Sequence, residues 1–393
     1  MDKPIKKIAV IGAGLMGIGI AQVSLMAGFE EVILNDIDNN IIEKGYEEIE
    51  SIFRKLEVSN KLGDNNTTDN LLKNLRKEVD LKNAVRDADF IIEAVPEDMS
   101  LKQELYKRLG EYAPEHAILA SNTSTMLISE IGKYSNRRDK VIGMHFFIPL
   151  RMRLIEVIRS EYTSDETTRI CEQVGNKLPC INGKRLIITI NKESPGFIVN
   201  RLSIAGNVYL NWIVDRADES NITPEQLDAD IGTFLPMGIY EIMDHLGLDV
   251  IYHCLKYFEE VLSPDFAPGR VLSQKIQKGE LGKKTGKGMY EWKDGKIMKH
   301  QGIKNTKMLN LDTLVAIQLN EGCKLLEDQI VPNYKIIDTA MITGMGTPGP
   351  FAPGKKNYKE WTKLLETFVQ ESGKKYFLPC KLMRSGDFIK MRK

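Results

Sequence analysis

The chain has 393 residues, enough for two or three domains with cores of their own at roughly 100 to 200 residues each. Its 54 lysines and arginines balance 54 aspartates and glutamates, so no global field draws it to nucleic acid or an anionic membrane. Five cysteines, without C-x-x-C spacing or a histidine cluster, argue against a disulfide framework and against a metal site, and suit a reducing cytosol.

The start, MDKPIKKIAVIGAG, sets basic residues before an apolar run, but glycines break that run too early for a signal peptide. No later apolar stretch is long enough to span a bilayer. KIAVIG, EVILND, DFIIEAV, AILASN, KVIGMHF, LIEVIR and RLIITI predict strands, several apolar at consecutive positions, as in a sheet covered on both faces. LMGIGIAQVSLMAG and SLKQELYKRLGEYA predict helices between them. This is the βαβ pattern of a Rossmann-type doubly wound α/β sheet, assigned to residues 1–192. VSNKLGDNNTTDN, residues 58–70, predicts a polar loop between two helical arms.

At ESPGF, Pro195 and Gly196 break the pattern, and an all-α C-terminal domain is expected over residues 193–302. LDADIGTFLPMGIYEI (227–242) resembles IDTAMITGMGTPGPF (337–351), and DFAPGRVLSQKIQKGEL (265–281) resembles YFLPCKLMRSGDF (376–388). The same order of two similar blocks predicts a duplicated helical unit, with residues 303–393 as a second, degenerate repeat.

IAVIGAGLMGIGIA carries G-x-G-x-x-G at Gly12, Gly14 and Gly17, after a strand and at the start of a helix. Leu15 and Met16, between the second and third glycines, are counted with the cofactor site. The next strand ends in Asp36, about 20 residues on, where a carboxylate can accept from a ribose and repel a 2′-phosphate. NAD is therefore expected rather than NADP. His145 falls at the C-terminal end of KVIGMHF, where ligands of open α/β sheets bind. Oxidising an alcohol needs a base for the hydroxyl proton, and imidazole suits that work near neutral pH. Glu156 on the following strand can orient the ring and stabilise the imidazolium.

The motifs IGAGLMGIGIA, EAVPED, SNTST, GMHFF with LIEVI, PGFIVNR, LPMGIYEIMDHLGLD and GKKTGKGMYEW, in that order, resemble the short-chain L-3-hydroxyacyl-CoA dehydrogenase family, including the 3-hydroxybutyryl-CoA dehydrogenases, over residues 5–295. The resemblance implies that His145 and Glu156 form the catalytic pair and that Ser124 and Asn200 hydrogen-bond the reacting oxygen. It also implies that Glu97, Lys102 and Asn122 help to hold the cofactor, with Lys102 near the substrate. An acyl-CoA thioester is the implied substrate, with basic residues of the helical arm (Arg54, Lys55, Lys61, Lys73) toward its phosphates. Family members resemble one another in dimerising through the helical domain, so the chain is expected to be a homodimer or a monomer with an internal pseudo-dimer.

Two departures stand out. Ile148 occupies the place of asparagine in the family's H-F-F-N-P, and the loop before Glu156 is one residue shorter. The isoleucine side chain neither donates nor accepts a hydrogen bond, so the His145–Glu156 pairing or the choice of substrate is expected to register the change. A dehydrogenase of a free 3-hydroxy acid of the carnitine or gulonate type is the rival reading, with Arg151 and Arg153 available for a carboxylate. A non-catalytic NAD-binding protein is a third. His245 is expected to be structural, and His116, His253 and His300 lack a strand-end context.

Overall fold

The computed structural model describes residues 4–63, 66–232, 237–298 and 303–392. Residues 233–236, which include the Leu-Pro that opens the LPMGIYE motif, and His300 lie outside the described residues, as do two positions of the polar 58–70 segment. Two compact units emerge, one holding the chain up to Phe197 together with Thr339–Thr347, the other Ile198–Asp338 and the chain from Pro348 onward.

The first unit is built on eight strands: β1 Lys7–Ile11, β2 Glu31–Asn35, β3 Leu75–Glu78, β4 Phe90–Glu93, β5 Ile118–Ser121, β6 Val141–Phe146, β7 Leu154–Ile158 and β8 Leu186–Ile190. Their order is β3-β2-β1-β4-β5-β6-β7-β8. Neighbours run parallel except β6 and β7, which are antiparallel. The reason is local, since the connection from Phe147 to Arg153 is too short for the crossover a parallel pair requires. All residues of β4, β5, β6 and β7 are buried, which explains why their sequences read as continuous apolar runs rather than alternating ones.

β3, with the sequence LRKE, was not among the predicted strands. It is an edge strand, and its only buried residue is Leu75, so no apolar pattern marks it. Arg76 pairs there with Glu31 of the neighbouring strand at 2.9 Å. Parallel strands β1, β4, β5 and β6 end on the same edge of the sheet, and the residues that follow those ends build the site described below.

The second unit is mainly helical. Its long Val199–Glu219 helix buries thirteen residues and packs against the Leu311–Glu327 helix. A small hairpin of Trp292–Lys293 with Lys296–Ile297 is the exception to the all-α expectation. Two helix entries are built alike. Asp228 accepts from the amide of Tyr240 at 3.1 Å, and a Cβ on Gly238 would stand 2.1 Å from its carboxylate. Asp338 accepts from the amide of Phe351 at 3.0 Å, and a Cβ on Gly349 would also stand 2.1 Å away. Phe266 and Phe377, matching positions of the second pair of similar blocks, lie ring to ring at 5.4 Å.

Candidate active site

β1 runs directly into Gly12, whose φ of 103° is the left-handed region that favours glycine. A Cβ there would lie 2.6 Å from the Ala94 carbonyl oxygen, and one on Gly17 would lie 1.8 Å from that of Gly12. Both glycines are thus required by the chain's own packing. Gly14 differs, because nothing lies within 4 Å of where its Cβ would be, and there a phosphate can approach the backbone. The Leu15–Met26 helix begins at that point without a capping side chain, so its first-turn N–H groups face an anion site. Leu15 is exposed and Met16 half-buried beside it. Asp36 follows β2, and its Oδ2 accepts from the Ala13 amide at 2.8 Å. The carboxylate therefore ties the glycine turn to β2 as well as remaining partly exposed for a ribose, a second job that spacing alone does not reveal. These residues fit a dinucleotide.

Next along the edge lies an ionic cluster in which Glu93 and Lys102 are buried and Glu97 is partly exposed. Lys102, from the Met99–Tyr112 helix, has a side chain 1% exposed and pairs with Glu93 at 2.5 Å and Glu97 at 3.2 Å. Glu93, at the end of β4, also accepts from the Ser121 hydroxyl at 2.6 Å and the Val95 amide at 2.9 Å. Glu97 turns its other oxygen to the SNTST turn, accepting from the Thr123 hydroxyl at 2.6 Å and the Ser124 amide at 2.9 Å. Burial pushes the Glu97 carboxyl up, but Lys102, Thr123 and Ser124 outweigh it and hold it below the usual range. Burial likewise pushes the Lys102 ammonium down, and the two glutamates more than reverse this. Glu93 went unremarked in the sequence, because a lone glutamate at a strand end carries no pattern of its own.

His145 and Glu156 face each other across the antiparallel β6–β7 pair, and His145 Nδ1 lies 2.7 Å from Glu156 Oε2. Both side chains are buried, Glu156 completely. The imidazole packs against the rings of Phe147 at 4.5 Å and Phe197 at 5.7 Å. Asn122 joins this pair to the cluster, for its Oδ1 accepts from the Phe146 amide at 2.9 Å while its own amide donates to the Glu93 carbonyl at 2.8 Å. In the short connecting loop Ile148 is half exposed, and its carbonyl accepts from the Arg151 and Met152 amides. The loop's other carbonyls are held from outside. Arg185, buried just before β8, donates to Met152 at 2.6 Å, Pro149 at 2.8 Å and Pro179, and Asn182 donates to Arg151 at 2.9 Å. Burial pushes the Arg185 guanidinium down. Neither residue was marked in the sequence, since each acts on carbonyls some 31 to 36 positions away.

Asn200 lies in the second unit, half-buried on the first turn of the Val199–Glu219 helix. Among the described residues no group of histidines, cysteines and carboxylates could hold a metal ion, and no helix is long and apolar enough to cross a membrane. His116 pairs with Asp89 at 2.8 Å, and His245 packs edge-on against Trp292.

The family model for the 3-hydroxyacyl-CoA dehydrogenase NAD-binding domain matches residues 7–187, and that for the C-terminal domain of the same enzymes matches residues 196–292. Mitochondrial hydroxyacyl-coenzyme A dehydrogenase of Sus scrofa is 34% identical over 298 residues, 74% of this chain and 92% of that protein. The chain belongs to the 3-hydroxyacyl-CoA dehydrogenase family. It is an NAD-dependent oxidoreductase. Among solved structures, (S)-3-hydroxybutyryl-CoA dehydrogenase from Ralstonia eutropha is 30% identical with a TM-score of 0.65, covering 74% of this chain and all of that one. The 3-hydroxybutyryl-CoA dehydrogenase of Escherichia coli, at 24% identity, shares the fold over 98% of this 3-hydroxyacyl-CoA dehydrogenase family member and 99% of its own chain, with a TM-score of 0.81.

Proposed function

We propose that the chain interconverts a short-chain L-3-hydroxyacyl-CoA and its 3-oxoacyl-CoA, with His145 as the general base. The observation that carries this is the 2.7 Å contact between His145 Nδ1 and the buried Glu156 carboxylate. A carboxylate accepting from Nδ1–H leaves the lone pair on Nε2, ready to take the hydroxyl proton, and stabilises the imidazolium that results. NAD, when bound, would accept the hydride that leaves the carbon bearing that hydroxyl. Gly12, Gly14, Leu15, Met16, Gly17 and Asp36 would hold its adenosine and phosphate portions. Glu97, Lys102 and Asn122 would help to hold the cofactor, and Ser124 and Asn200 would hydrogen-bond the reacting oxygen.

A thioester is favoured by an apolar cavity of about 440 Å³ in the first unit, lined by Met16, Ile18, Ile52, Phe147, Ile148 and Leu150 among others. Gln22, 2% exposed, lines it with its Nε2 lacking a partner, a donor suited to a carbonyl on an otherwise apolar arm. Lys55 and Arg151 also line it, whereas Arg54 is engaged by Glu50 and Asp69. We further propose the domain division at residue 193 and the duplication of the helical unit after residue 302, supported by the matching Asp228 and Asp338 entries. On that basis a monomer with an internal pseudo-dimer is favoured over a homodimer, and cysteines without disulfide or metal spacing favour the cytosol. A solution mass equal to a dimer at micromolar concentration would count against the pseudo-dimer.

The assay is NADH oxidation with acetoacetyl-CoA and, separately, free acetoacetate. Turnover of the thioester alone is expected, reduced about 10² to 10⁴-fold in His145→Gln with NADH binding retained. Turnover of acetoacetate alone would transfer the assignment to a free 3-hydroxy acid, with Arg151 as the carboxylate's partner. Binding of NADH with no turnover of either compound would leave a cofactor-binding protein.

A further inference from the structure

The Val199–Glu219 helix carries Arg201 immediately after Asn200. The Arg201 side chain is only 6% exposed and is held by the C-terminal part of the chain. Its Nε donates to Glu321 Oε2 at 2.9 Å, and its Nη2 donates to the Tyr376 hydroxyl at 2.8 Å. That hydroxyl donates in turn to the same Glu321 oxygen at 2.9 Å, closing a ring of three hydrogen bonds. Lys324 donates to the other Glu321 oxygen at 2.7 Å and to the Tyr376 carbonyl at 2.8 Å, with its ammonium 3.5 Å from the Tyr376 ring centroid. Asp265 anchors Tyr376 by accepting from its amide at 2.7 Å. Glu321, Lys324 and Tyr376 all lie beyond residue 292, where the matched C-terminal domain ends.

Apolar packing alone would leave a helix turn free to rotate by small amounts. A planar guanidinium with two directed bonds fixes both its depth and its rotation. Burial pushes Glu321 up, but Lys324 and Arg201 outweigh it and hold the carboxyl below its ordinary value, so it stays an acceptor at neutral pH. Burial also raises the Tyr376 hydroxyl, which stays a donor.

Taking the role given to Asn200 above as the basis, we propose that Arg201 is a positioning residue, and that Glu321 and Tyr376 use it to set the first turn of the helix on which Asn200 stands. The C-terminal segment thereby contributes to the reaction without touching substrate. If the network served only to join helices, replacing its three charged side chains by apolar ones of similar size would be neutral or stabilising and would leave turnover intact.

The experiment compares Glu321→Gln and an apolar triple variant, Arg201→Met with Glu321→Met and Lys324→Met, against wild type. It reads kcat, KM for acetoacetyl-CoA and for NADH, thermal midpoint, and hydrogen exchange of the amides of residues 202–205, of which Leu202 donates to the Ile198 carbonyl at 3.3 Å. Glu321→Gln is expected to lower kcat by up to about 10²-fold, the effect of a misplacement near 1 Å, with KM for NADH within about twofold. The apolar triple variant is expected to regain the thermal midpoint but not kcat, and exchange at 202–205 to quicken about tenfold in both variants. A triple variant that regains kcat together with stability, or a Glu321→Gln enzyme that loses stability alone, overturns the proposal. Should wild type fail to turn over the thioester, the substrate assignment falls and exchange alone decides the positioning, with unchanged protection at 202–205 overturning it.

Discussion

Each compact unit holds an ionic cluster around a buried ion pair, Lys102–Glu93 in one and Arg201–Glu321 in the other, and the two are built with opposite surpluses. In the first, Glu93 and Glu97 share one cation, Lys102. In the second, Arg201 and Lys324 share one carboxylate, Glu321. Burying charge is costly unless every ion is paired and hydrogen-bonded, so each surplus needs neutral partners. The extra carboxylate finds donors in the Thr123 hydroxyl and Ser124 amide, and the extra cation finds acceptors in the Tyr376 carbonyl and ring face. In both clusters the neutral partners are the groups held in place: a loop at the sheet edge in one, the packing of two distant helices in the other. The difference teaches that the single ion of either cluster carries more than either of the shared pair.

The largest expected effect follows directly. Lys102→Met removes the cation paired with the fully buried Glu93 carboxylate and with Glu97, and should cost about 3 to 5 kcal/mol. Lys324→Met leaves the Arg201–Glu321 pair intact and should cost about 1 kcal/mol. Denaturant unfolding of the two variants checks this, and equal losses would break the comparison. Glu93→Gln is expected to be intermediate. It leaves a Lys102–Glu97 pair at a stability loss of about 1 to 3 kcal/mol, with kcat/KM falling through KM for NADH if the loosened Glu97 lets the SNTST turn shift. A change in kcat alone would place the effect on the reacting groups instead.

The smallest effect is acid sensitivity. Glu97 and Glu321 are both held below the ordinary glutamate value, so their contribution to stability is present above that value and is lost as pH falls through the lowered ones. Burial raises Asp228 and Asp338, which has the opposite sign and returns stability as pH falls through their raised values. The thermal midpoint is therefore expected to hold level or rise slightly from pH 7 downward, then fall below about pH 4.5. A steady decline from pH 7 would contradict this.

The glycine turn, Asp36 and the long apolar strands were legible in the sequence, because each is a local pattern with a local cause: a positive φ, a close approach, a buried period. His145 and Glu156 were legible as a pair because a short loop between two strands leaves few registers, and the one adopted sets them opposite each other. β3 was not legible, since an exposed edge strand such as LRKE lacks an apolar signature. Nor were Glu93, Arg185 and Arg201, whose meaning depends on partners far along the chain; Arg201 and Glu321 stand 120 positions apart.

By itself the sequence determined where the dinucleotide turn lies, which residue types could move a proton, and that a helical half follows a sheet half. Backbone sterics and hydrophobic period act over a few residues, so they are written locally. Only the tertiary structure decided which charges share a buried cluster, which side chains hold the loop between His145 and Glu156, and what pins the turn bearing Asn200. Those depend on desolvation and on directed hydrogen bonds, which come into being only when distant segments exclude water from one another.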